Sequence, residues 1–318
     1  MSNAGQFTVE RRPGPLPADE VTAVVELAAA AGEVDGTHPL SEPVVLRLRQ
    51  DGDPAATHLL ARDGEGQLVG YAHLDPTDPA GGLTAELVVH PGARQRGLGR
   101  QLAAEALAVA GPAGELRVWA HGDLPTAAAL AGRLGFARSR VLLQLRRSLR
   151  DDLAPPQLPA GVTIRSFHPG EDDAAWLALN ARAFADHPEQ GRWTEHDLRL
   201  RQAEPWFDPA GFLLAVREAD AALLGFHWTK VHLDQPTPIG EVYVLGVDPA
   251  AHGLGLGTAL TLAGLHHLRQ RGLDQVMLYV DESNQAAVKL YTKLGFAPWS
   301  VDVAYARTVG ESAQVVSG

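Results

Sequence analysis

Residues 245–257 read LGVDPAAHGLGLG, and this stretch decides the fold because its pattern occurs twice in the chain. The first copy, at residues 87–99, reads LVVHPGARQRGLG. Each copy is an apolar run typical of a buried strand, followed by a turn with proline, a Gly-x-Gly loop and a sequence with helical spacing. We expect the two helices at residues 100–110 and 258–271. A repeat of this kind predicts two domains of one fold.

The two halves match again further along the chain. Residues 128–136, AALAGRLGF, correspond to residues 288–296, VKLYTKLGF. Both sequences predict a short helix that ends at a glycine in the left-handed conformation, after which the phenylalanine opens a buried strand. A strand is expected before each helix, at residues 116–120 and 275–280. The alternation of strands and helices predicts a mixed α/β sheet in each of two tandem domains.

A proline-rich stretch separates the halves. Pro155, Pro156 and Pro159 make residues 151–160 a semi-rigid linker. We therefore expect an N-terminal domain at residues 1–150 and a C-terminal domain at residues 161–318.

Composition narrows the class of protein. The 318 residues carry a formal net charge of −11, which argues against non-specific binding to nucleic acid or to anionic membranes and suits a cationic small molecule such as an amine. There is no cysteine, which excludes disulfides, a cysteine nucleophile and a cysteine-ligated metal site. The polar residues 1–12 contain no signal for export, so we expect a cytoplasmic protein. Nothing marks an interface or a metal site, so we expect a monomer without a metal ion.

The repeated glycine loop predicts an anion site. Backbone N–H groups in such a turn and at the helix N-terminus point towards one place, and glycine lets the backbone approach a bulky phosphate. Neither copy has the spacing of a dinucleotide-binding Gly-x-Gly-x-x-Gly motif, and no Gly-Lys-Ser/Thr follows as in a P-loop.

At this point the sequence resembles the GNAT acetyltransferase superfamily, whose acetyl-CoA loop has the pattern Gln/Arg-x-x-Gly-x-Gly/Ala after a bulged strand. Residues 94–99, RQRGLG, match this pattern fully. Residues 252–257, HGLGLG, keep the glycines but begin with His252, which makes pyrophosphate contacts there more dependent on the backbone. The resemblance implies acetyl-CoA as the acetyl donor.

Longer segments resemble a tandem-domain family within this superfamily, the mycothiol synthases. They are HPEQG (187–191), WFDP (206–209), GFHWTKVH (225–232), GEVYVLGVDP (240–249), AELVVHP (85–91) and WAHG (119–122). The resemblance covers nearly the whole chain. It implies acetyl transfer from acetyl-CoA to the cysteinyl amine of cysteinyl-glucosaminyl-inositol, which gives mycothiol, and an actinobacterial source.

Two side chains are candidates for proton transfer. Glu241 begins the strand before the second loop; position alone favours an exposed carboxylate, and the resemblance implies a general base. Tyr291 lies on the short helix of the second half, where a phenol suits protonation of a departing thiolate and where aromatic packing on the sheet is the other interpretation. Backbone N–H groups of Leu245, Gly246 and Val247 are expected to polarise the thioester carbonyl at a bulge.

The remaining site residues follow from the loops and from the resemblance. In the second half, the cofactor contacts are expected from Leu245, Gly246, Val247, His252, Gly253, Leu254, Gly255, Leu256, Gly257, Thr258, Asn284, Gln285, Ala286, Ala287, Val288 and Lys289. In the first half, they are expected from Leu87, Val88, Val89, Gln95, Arg96, Gly97, Leu98, Gly99 and Arg100. Substrate contacts implied by the resemblance are Glu42, Glu189, Lys230, Glu241 and Tyr279.

The first half lacks the residues for chemistry. Ala131 occupies the position of Tyr291, and Leu124 that of Asn284. We therefore expect a catalytically degenerate N-terminal domain whose intact loop leaves acetyl-CoA binding open. Two alternatives remain at this point. One is an N-acetyltransferase for another amine, such as a peptide N-terminus, a polyamine or an aminoglycoside. The other is a non-catalytic acetyl-CoA sensor.

Overall fold

The chain folds into two compact units. The computed structural model describes residues 7–49, 54–76, 82–112, 114–185, 187, 190–233 and 237–308. Unit 1 comprises Met1–Val141 and Val301–Gly318, and unit 2 comprises Leu142–Ser300. Within the described residues, every helix is too short or too polar to cross a membrane.

Unit 1 is a mixed sheet with helices on both faces. Its strands are ordered β1-β2-β3-β4-β5-β12, where β12 (Ala297–Thr308) is the last strand of the chain, and all neighbours are antiparallel except β4 and β5. The elements are β1 (Thr8–Pro13), α1 (Ala18–Asp35), α2 (Glu42–Arg49), β2 (Thr57–Arg62), β3 (Leu68–Asp75), β4 (Leu83–Val89), α3 (Leu98–Ala110), β5 (Glu115–Ala120) and α4 (Pro125–Arg133).

Unit 2 repeats this arrangement with the order β7-β8-β9-β10-β11-β6, in which β10 and β11 are the parallel pair. The elements are β6 (Ala137–Ser148), β7 (Val162–Ser166), α5 (Asp173–Ala183), α6 (Glu195–Gln202), β8 (Phe212–Arg217), β9 (Leu223–His232), β10 (Ile239–Val247), α7 (Leu256–Gln270), β11 (Gln275–Asp281) and α8 (Gln285–Lys293). The predicted pair of mixed α/β domains is confirmed.

The last strand of each half does not stay with the half that precedes it. Residues 142–148 of β6 pair with β11 in unit 2, and residues 303–308 of β12 pair with β5 in unit 1. The units therefore divide at residues 141 and 300, whereas the sequence suggested domains that meet at residues 151–160. Periodicity shows that a segment is a strand, but it carries no information about which partner the strand will choose.

The helix ends that the sequence predicted at Gly135 and Gly295 are present in the structure. Gly135 and Gly295 have φ of +74° and +83°, and they follow helices α4 and α8. The amide of Phe296 returns to the carbonyl of Tyr291 at 3.0 Å, which closes the helix end and leaves Phe296 in the core. Helices α3 and α7 begin at Leu98 and Leu256, two residues earlier than expected.

The two faces of the unit 2 sheet have different cores. One face packs against α7 and α8 through a cluster that includes Val242, Leu278 and Leu265. The other packs against α5 and α6 through an aromatic cluster that includes Trp176 and Trp228. Because successive side chains on a strand alternate between faces, Glu241 lies on the face opposite to Val242.

Candidate active site

Glu241 is buried and bonded, unlike an ordinary carboxylate at a strand start. Only 7% of Glu241 is exposed. Its Oε2 lies 2.6 Å from Nε2 of His232, which is the last residue of β9. His232 is the last residue of the segment GFHWTKVH, and the sequence alone predicted no role for it. His232 lies two residues after Lys230 on β9, so both side chains point to the face that carries Glu241. This spacing is the signal in the sequence that could have identified His232.

Lys230 lies directly across from Glu241 on β9. It is also buried, with Nζ 4.6 Å from the ring centre of Trp206 and 5.3 Å from that of Tyr243. Cation–π contacts of this kind hold an ammonium in a site with little water. The predicted substrate residue Lys230 therefore shares one side of the sheet with the predicted base.

Strands β10 and β11 stay together only at the beginning of β10. Their parallel pairing covers Gly240, Glu241 and Val242, while β10 continues to pair with β9 as far as Val247. The backbone of residues 245–247 thus lies beyond the last residue paired with β11. The expected position of the bulge was wrong: the register shift falls between Val242 and Val244, because Tyr243 is the extra residue on this strand.

Tyr291 lies on the opposite side of the sheet from Glu241. It is 7% exposed and belongs to the core cluster of Val242 and Leu278, with its ring 5.6 Å from that of Phe296. Burial raises the pKa of its phenol, so the side chain keeps its proton well above neutral pH. The two candidates for proton transfer thus lie on different sides of the sheet.

The second glycine loop is open to solvent. Residues 252–255 are exposed, and a Cβ atom added at Gly253 or Gly255 would meet nothing within 4 Å. Gly255 has φ of +76° and caps α7, whose first amides are left outside the helical hydrogen bonds. This is an accessible cradle of backbone donors suited to a pyrophosphate.

The first residue of each loop, Arg94 or His252, contacts the backbone at the end of the preceding strand. In unit 1, Arg94 forms two bonds to Asp35, at 2.7 and 2.8 Å, and donates through Nε to the carbonyl of Val89 at 3.1 Å. In unit 2, Nε2 of His252 lies 3.3 Å from the carbonyl of Val247, the residue equivalent to Val89. Arginine and histidine therefore both contact the end of the preceding strand, and Arg94 also forms an ion pair with Asp35.

The second loop is also the more relaxed one. Gln95 has φ of +61°, in the left-handed region that favours glycine, and the equivalent residue in unit 2 is Gly253, with φ of +81°. The extra glycine of HGLGLG thus occupies a position where a side chain costs energy. The loop that departs from the pattern is better adapted in its backbone.

The other predicted residues are placed as follows. Asn284 accepts from the amide of Ala287 at 3.1 Å and so caps α8, on which residues 285–289 lie. Tyr279 is 41% exposed on β11 and accepts a hydrogen bond from Gln144 at 2.6 Å. Glu42 begins α2 in unit 1. Glu189 lies outside the described residues.

Unit 1 has no counterpart of the candidate acid and base. Counting from the paired glycine–valine positions on β3 and β4, Thr84 takes the place of Glu241. Ala131 takes the place of Tyr291. The first loop, with predicted contacts at residues 87–89 and 95–100, also precedes a helix and has Gly97 at φ of +87°. The strand, glycine loop and helix are thus repeated in unit 1, with Thr84 and Ala131 at the positions of the two candidate residues.

A buried ionic cluster in unit 1 was missed by the sequence analysis. Nδ1 of His121 lies 3.1 Å from Asp302, and its Nε2 lies 3.9 Å from Glu86, which accepts from the amide of Ser41 at 2.6 Å. Burial lowers the pKa of His121, but the interactions with Asp302 and Glu86 outweigh this effect and raise it to about 10. Burial alone would raise the pKa of Glu86. The interactions of its carboxylate with His121 and Ser41 outweigh burial, so the pKa is lowered.

Comparisons with known proteins agree with the fold of two similar mixed α/β units. The model of the acetyltransferase (GNAT) family matches residues 22–136 and 176–296. The mycothiol acetyltransferase of Salinispora arenicola is 63% identical over 91% of this chain and 94% of its own. That of Thermobispora bispora is 59% identical, over 90% and 95%.

Among solved structures, a tandem GNAT protein from the clavulanic acid biosynthesis pathway is similar with a TM-score of 0.70. It is 26% identical, and the match covers 96% of this chain and all of that one. The chain is therefore an acyltransferase that belongs to the GNAT family and, within it, to the tandem-domain mycothiol acetyltransferases.

Proposed function

We propose that unit 2 transfers the acetyl group of acetyl-CoA to the cysteinyl amine of cysteinyl-glucosaminyl-inositol and so produces mycothiol. The observation that carries the chemistry is the buried Glu241–His232 pair beside the point where β10 leaves β11. The choice of acceptor is supported by relatives up to 63% identical that are named mycothiol acetyltransferase.

The donor site proposed for acetyl-CoA is the second glycine loop. Its exposed glycines and the free amides at the start of α7 fit a pyrophosphate, and they leave room for one. The residues from Asn284 to Lys289 are proposed to line the pantetheine. When bound there, the donor supplies an activated acetyl group as a thioester.

The base in this proposal is Glu241, which takes a proton from the ammonium of the acceptor directly or through a water molecule. Loss of this proton frees the nitrogen lone pair to attack the carbonyl carbon. His232 holds one carboxylate oxygen at 2.6 Å and so fixes the orientation of the other.

Charge that develops on the carbonyl oxygen is proposed to be stabilised by backbone N–H groups of residues 245–247. This part of β10 extends beyond its pairing with β11, which leaves that edge of the strand available for a ligand. As the C–S bond breaks, Tyr291 protonates the departing thiolate from the other side of the sheet. The proton that the new amide nitrogen releases to solvent is matched by the one that restores the phenol. The raised pKa of Tyr291 keeps the required proton on the phenol.

The acceptor is proposed to lie on the face of the sheet that carries Glu241, Lys230 and Tyr279. The charge of Lys230 suits the hydroxyl groups and the amide of a pseudo-disaccharide conjugate. Glu42 and Glu189 remain predicted contacts of the acceptor. The proposed working form is a cytoplasmic monomer.

The direct test is an incubation of the purified protein with acetyl-CoA and a panel of amines. The panel contains cysteinyl-glucosaminyl-inositol, a peptide with a free N-terminus, a polyamine and an aminoglycoside, and mass spectrometry follows the acetylated products. We expect turnover of the first compound with a kcat/KM at least about 100-fold above the others. Preferred turnover of a peptide or polyamine would refute the acceptor, and tight acetyl-CoA binding without any transfer would establish a sensor.

A further inference from the structure

A hydrogen-bonded chain of side chains extends outward from Tyr279 across unit 2. Nε2 of Gln144 donates to the phenol of Tyr279 at 2.6 Å, and Oε1 of Gln144 accepts from Nε of Arg146 at 3.0 Å. The guanidinium of Arg146 then lies 4.2 Å from the ring centre of Trp299. Tyr279 is the only member with a role predicted from the sequence.

This chain lies on the same face of the sheet as Glu241. The parallel register places Glu241 beside Met277, and the antiparallel register places Met277 beside Arg146 and Tyr279 beside Gln144. Residues paired in register point to one side of a sheet. Their neighbours Leu278 and Leu145 belong to the core on the other face.

The distances suit a ligand whose reacting group is at Glu241. Two strand spacings separate Glu241 from Arg146 along the register, which amounts to roughly 10 Å. A glucosaminyl-inositol group attached through an amide to the cysteinyl unit reaches over a comparable distance. The strip formed by Gln144, Arg146 and Trp299 therefore lies where the sugar end of the acceptor would extend.

The chemistry of the strip also suits a sugar. Trp299 is 64% exposed, and Arg146 holds its indole by stacking. An exposed, ordered indole offers an apolar platform to the C–H groups of a sugar ring, and a guanidinium beside it offers a fork of N–H donors to adjacent hydroxyls. Gln144 is buried and fixes both neighbours, so the strip is organised before any ligand arrives.

We propose that Gln144, Arg146 and Trp299 form the subsite for the glucosaminyl-inositol part of the acceptor. The subsite rests on the proposed function for the identity of that acceptor. Trp299 and Arg146 contact the sugars, while Gln144 positions Arg146 and Tyr279. The subsite gives selectivity for the conjugate over simple cysteine amides.

The test compares two acceptors in steady-state kinetics. One is cysteinyl-glucosaminyl-inositol, and the other is L-cysteinamide, which keeps the amine, thiol and amide but has no sugar. We expect Trp299→Ala and Arg146→Ala to raise KM for the full acceptor about tenfold or more, with an unchanged KM for acetyl-CoA. For L-cysteinamide, kcat/KM should stay within about twofold of the wild type. Trp299→Phe should recover most of the loss.

Arg217→Ala is the matched control, because Arg217 is an exposed arginine of unit 2 that pairs with Asp220 at 2.8 Å. It should leave both acceptors unaffected. Equal losses for both acceptors in the Arg146 and Trp299 variants, or no loss for either, would overturn the subsite. Circular dichroism of each variant establishes that it is folded.

A failure of the proposed function is distinguishable from a failure of the subsite. If the wild type does not acetylate the full acceptor, the proposed function fails. Binding of glucosaminyl-inositol, followed by ligand-observed NMR, then decides the subsite separately. A signal in the wild type that disappears in Trp299→Ala and Arg146→Ala supports the subsite, and an equal signal or none in all three overturns it.

Discussion

At the scale of single residues, the proposed active site contains a carboxylate, Glu241, that is hydrogen-bonded to a histidine, His232. A hydrogen bond of 2.6 Å joins Nε2 of His232 to Oε2 of Glu241 and limits the orientations open to the carboxylate. A base that has to be oriented as well as present is sensitive to its partner. This sensitivity can be measured without a structure of the complex.

We expect Glu241→Gln to lower kcat for acetyl transfer by about 10²–10⁴-fold, because the amide cannot accept the proton. His232→Asn should lower kcat by about tenfold, because the carboxylate remains but loses its orientation. The double variant should be no slower than Glu241→Gln alone, since the two act as a unit. Additive losses in steady-state kinetics would contradict this pairing, and His196→Asn, on the exposed side of α6, serves as the control.

Tyr291 gives a second prediction at this scale. Tyr291→Phe keeps the ring that packs on Phe296 but removes the phenolic proton, so kcat should fall about 100-fold while thermal stability changes little. Because burial raises the pKa of Tyr291, wild-type activity should rise as the acceptor amine deprotonates and should not decline up to about pH 10. A decline in kcat near pH 9 would show that the acid is a group with a lower pKa.

At the scale of elements, the sequence predicted what is local and missed what is distant. The strand–loop–helix repeat, the left-handed glycines at 135 and 295, and the strand of Glu241 all depend on neighbours in sequence. The register shift at Tyr243 and the exchange of β6 and β12 depend on strand pairing. His121 and Asp302 are 181 residues apart, so no spacing rule could join them.

The second glycine loop has an extra glycine where the first has Gln95, and this difference is testable. Gly253→Ala places a side chain at φ of +81°, which costs about 1–2 kcal/mol locally. The loop should respond by moving its amides, so KM for acetyl-CoA should rise several-fold with kcat nearly unchanged. Gly132→Ala, in the helix α4 with open space around it, is the matched control and should be neutral or stabilising. An unchanged KM for acetyl-CoA in Gly253→Ala would separate this loop from donor binding.

The buried cluster of Glu86, His121 and Asp302 ties together β4, β5 and β12 of unit 1. Its contribution to stability has a defined pH window. The pKa of His121 rises from 6.5 to about 10 on folding, so its contribution is complete below pH 6.5 and is lost as the pH approaches 10. The lowered pKa of Glu86 makes its contribution complete above about 4.5 and lost on further acidification.

We therefore expect His121→Gln to destabilise the protein by about 3 kcal/mol at pH 6, as the loss of one partner from a buried ion pair does. The difference from the wild type should shrink as the pH rises towards 10, because the wild-type histidine then loses its charge. Urea unfolding at pH 6, 8 and 10 measures this. A difference that is constant over the three pH values would assign the effect to packing.

At the scale of the whole molecule, the glycine loop occurs in both units, whereas the two residues proposed to transfer protons occur in unit 2. Unit 1 has Thr84 and Ala131 where unit 2 has Glu241 and Tyr291. Both Gly97 and Gly255 cap their helices with positive φ, at +87° and +76°. Because both glycines have the left-handed backbone conformation, the same substitution can be compared at the two positions.

Valine at a left-handed glycine should disrupt either loop to a similar extent, so Gly97→Val and Gly255→Val differ only in the unit that they affect. We expect Gly255→Val to reduce kcat/KM for acetyl-CoA at least about 100-fold, and Gly97→Val to retain acetyl transfer, because no base or acid accompanies the first loop. Calorimetric titration with CoA adds the stoichiometry: if unit 1 also holds the nucleotide, Gly97→Val loses one bound CoA without losing turnover. Loss of turnover in Gly97→Val with intact binding at the second loop would require the first unit to take part in the reaction, and the duplication would then have preserved a function in both halves.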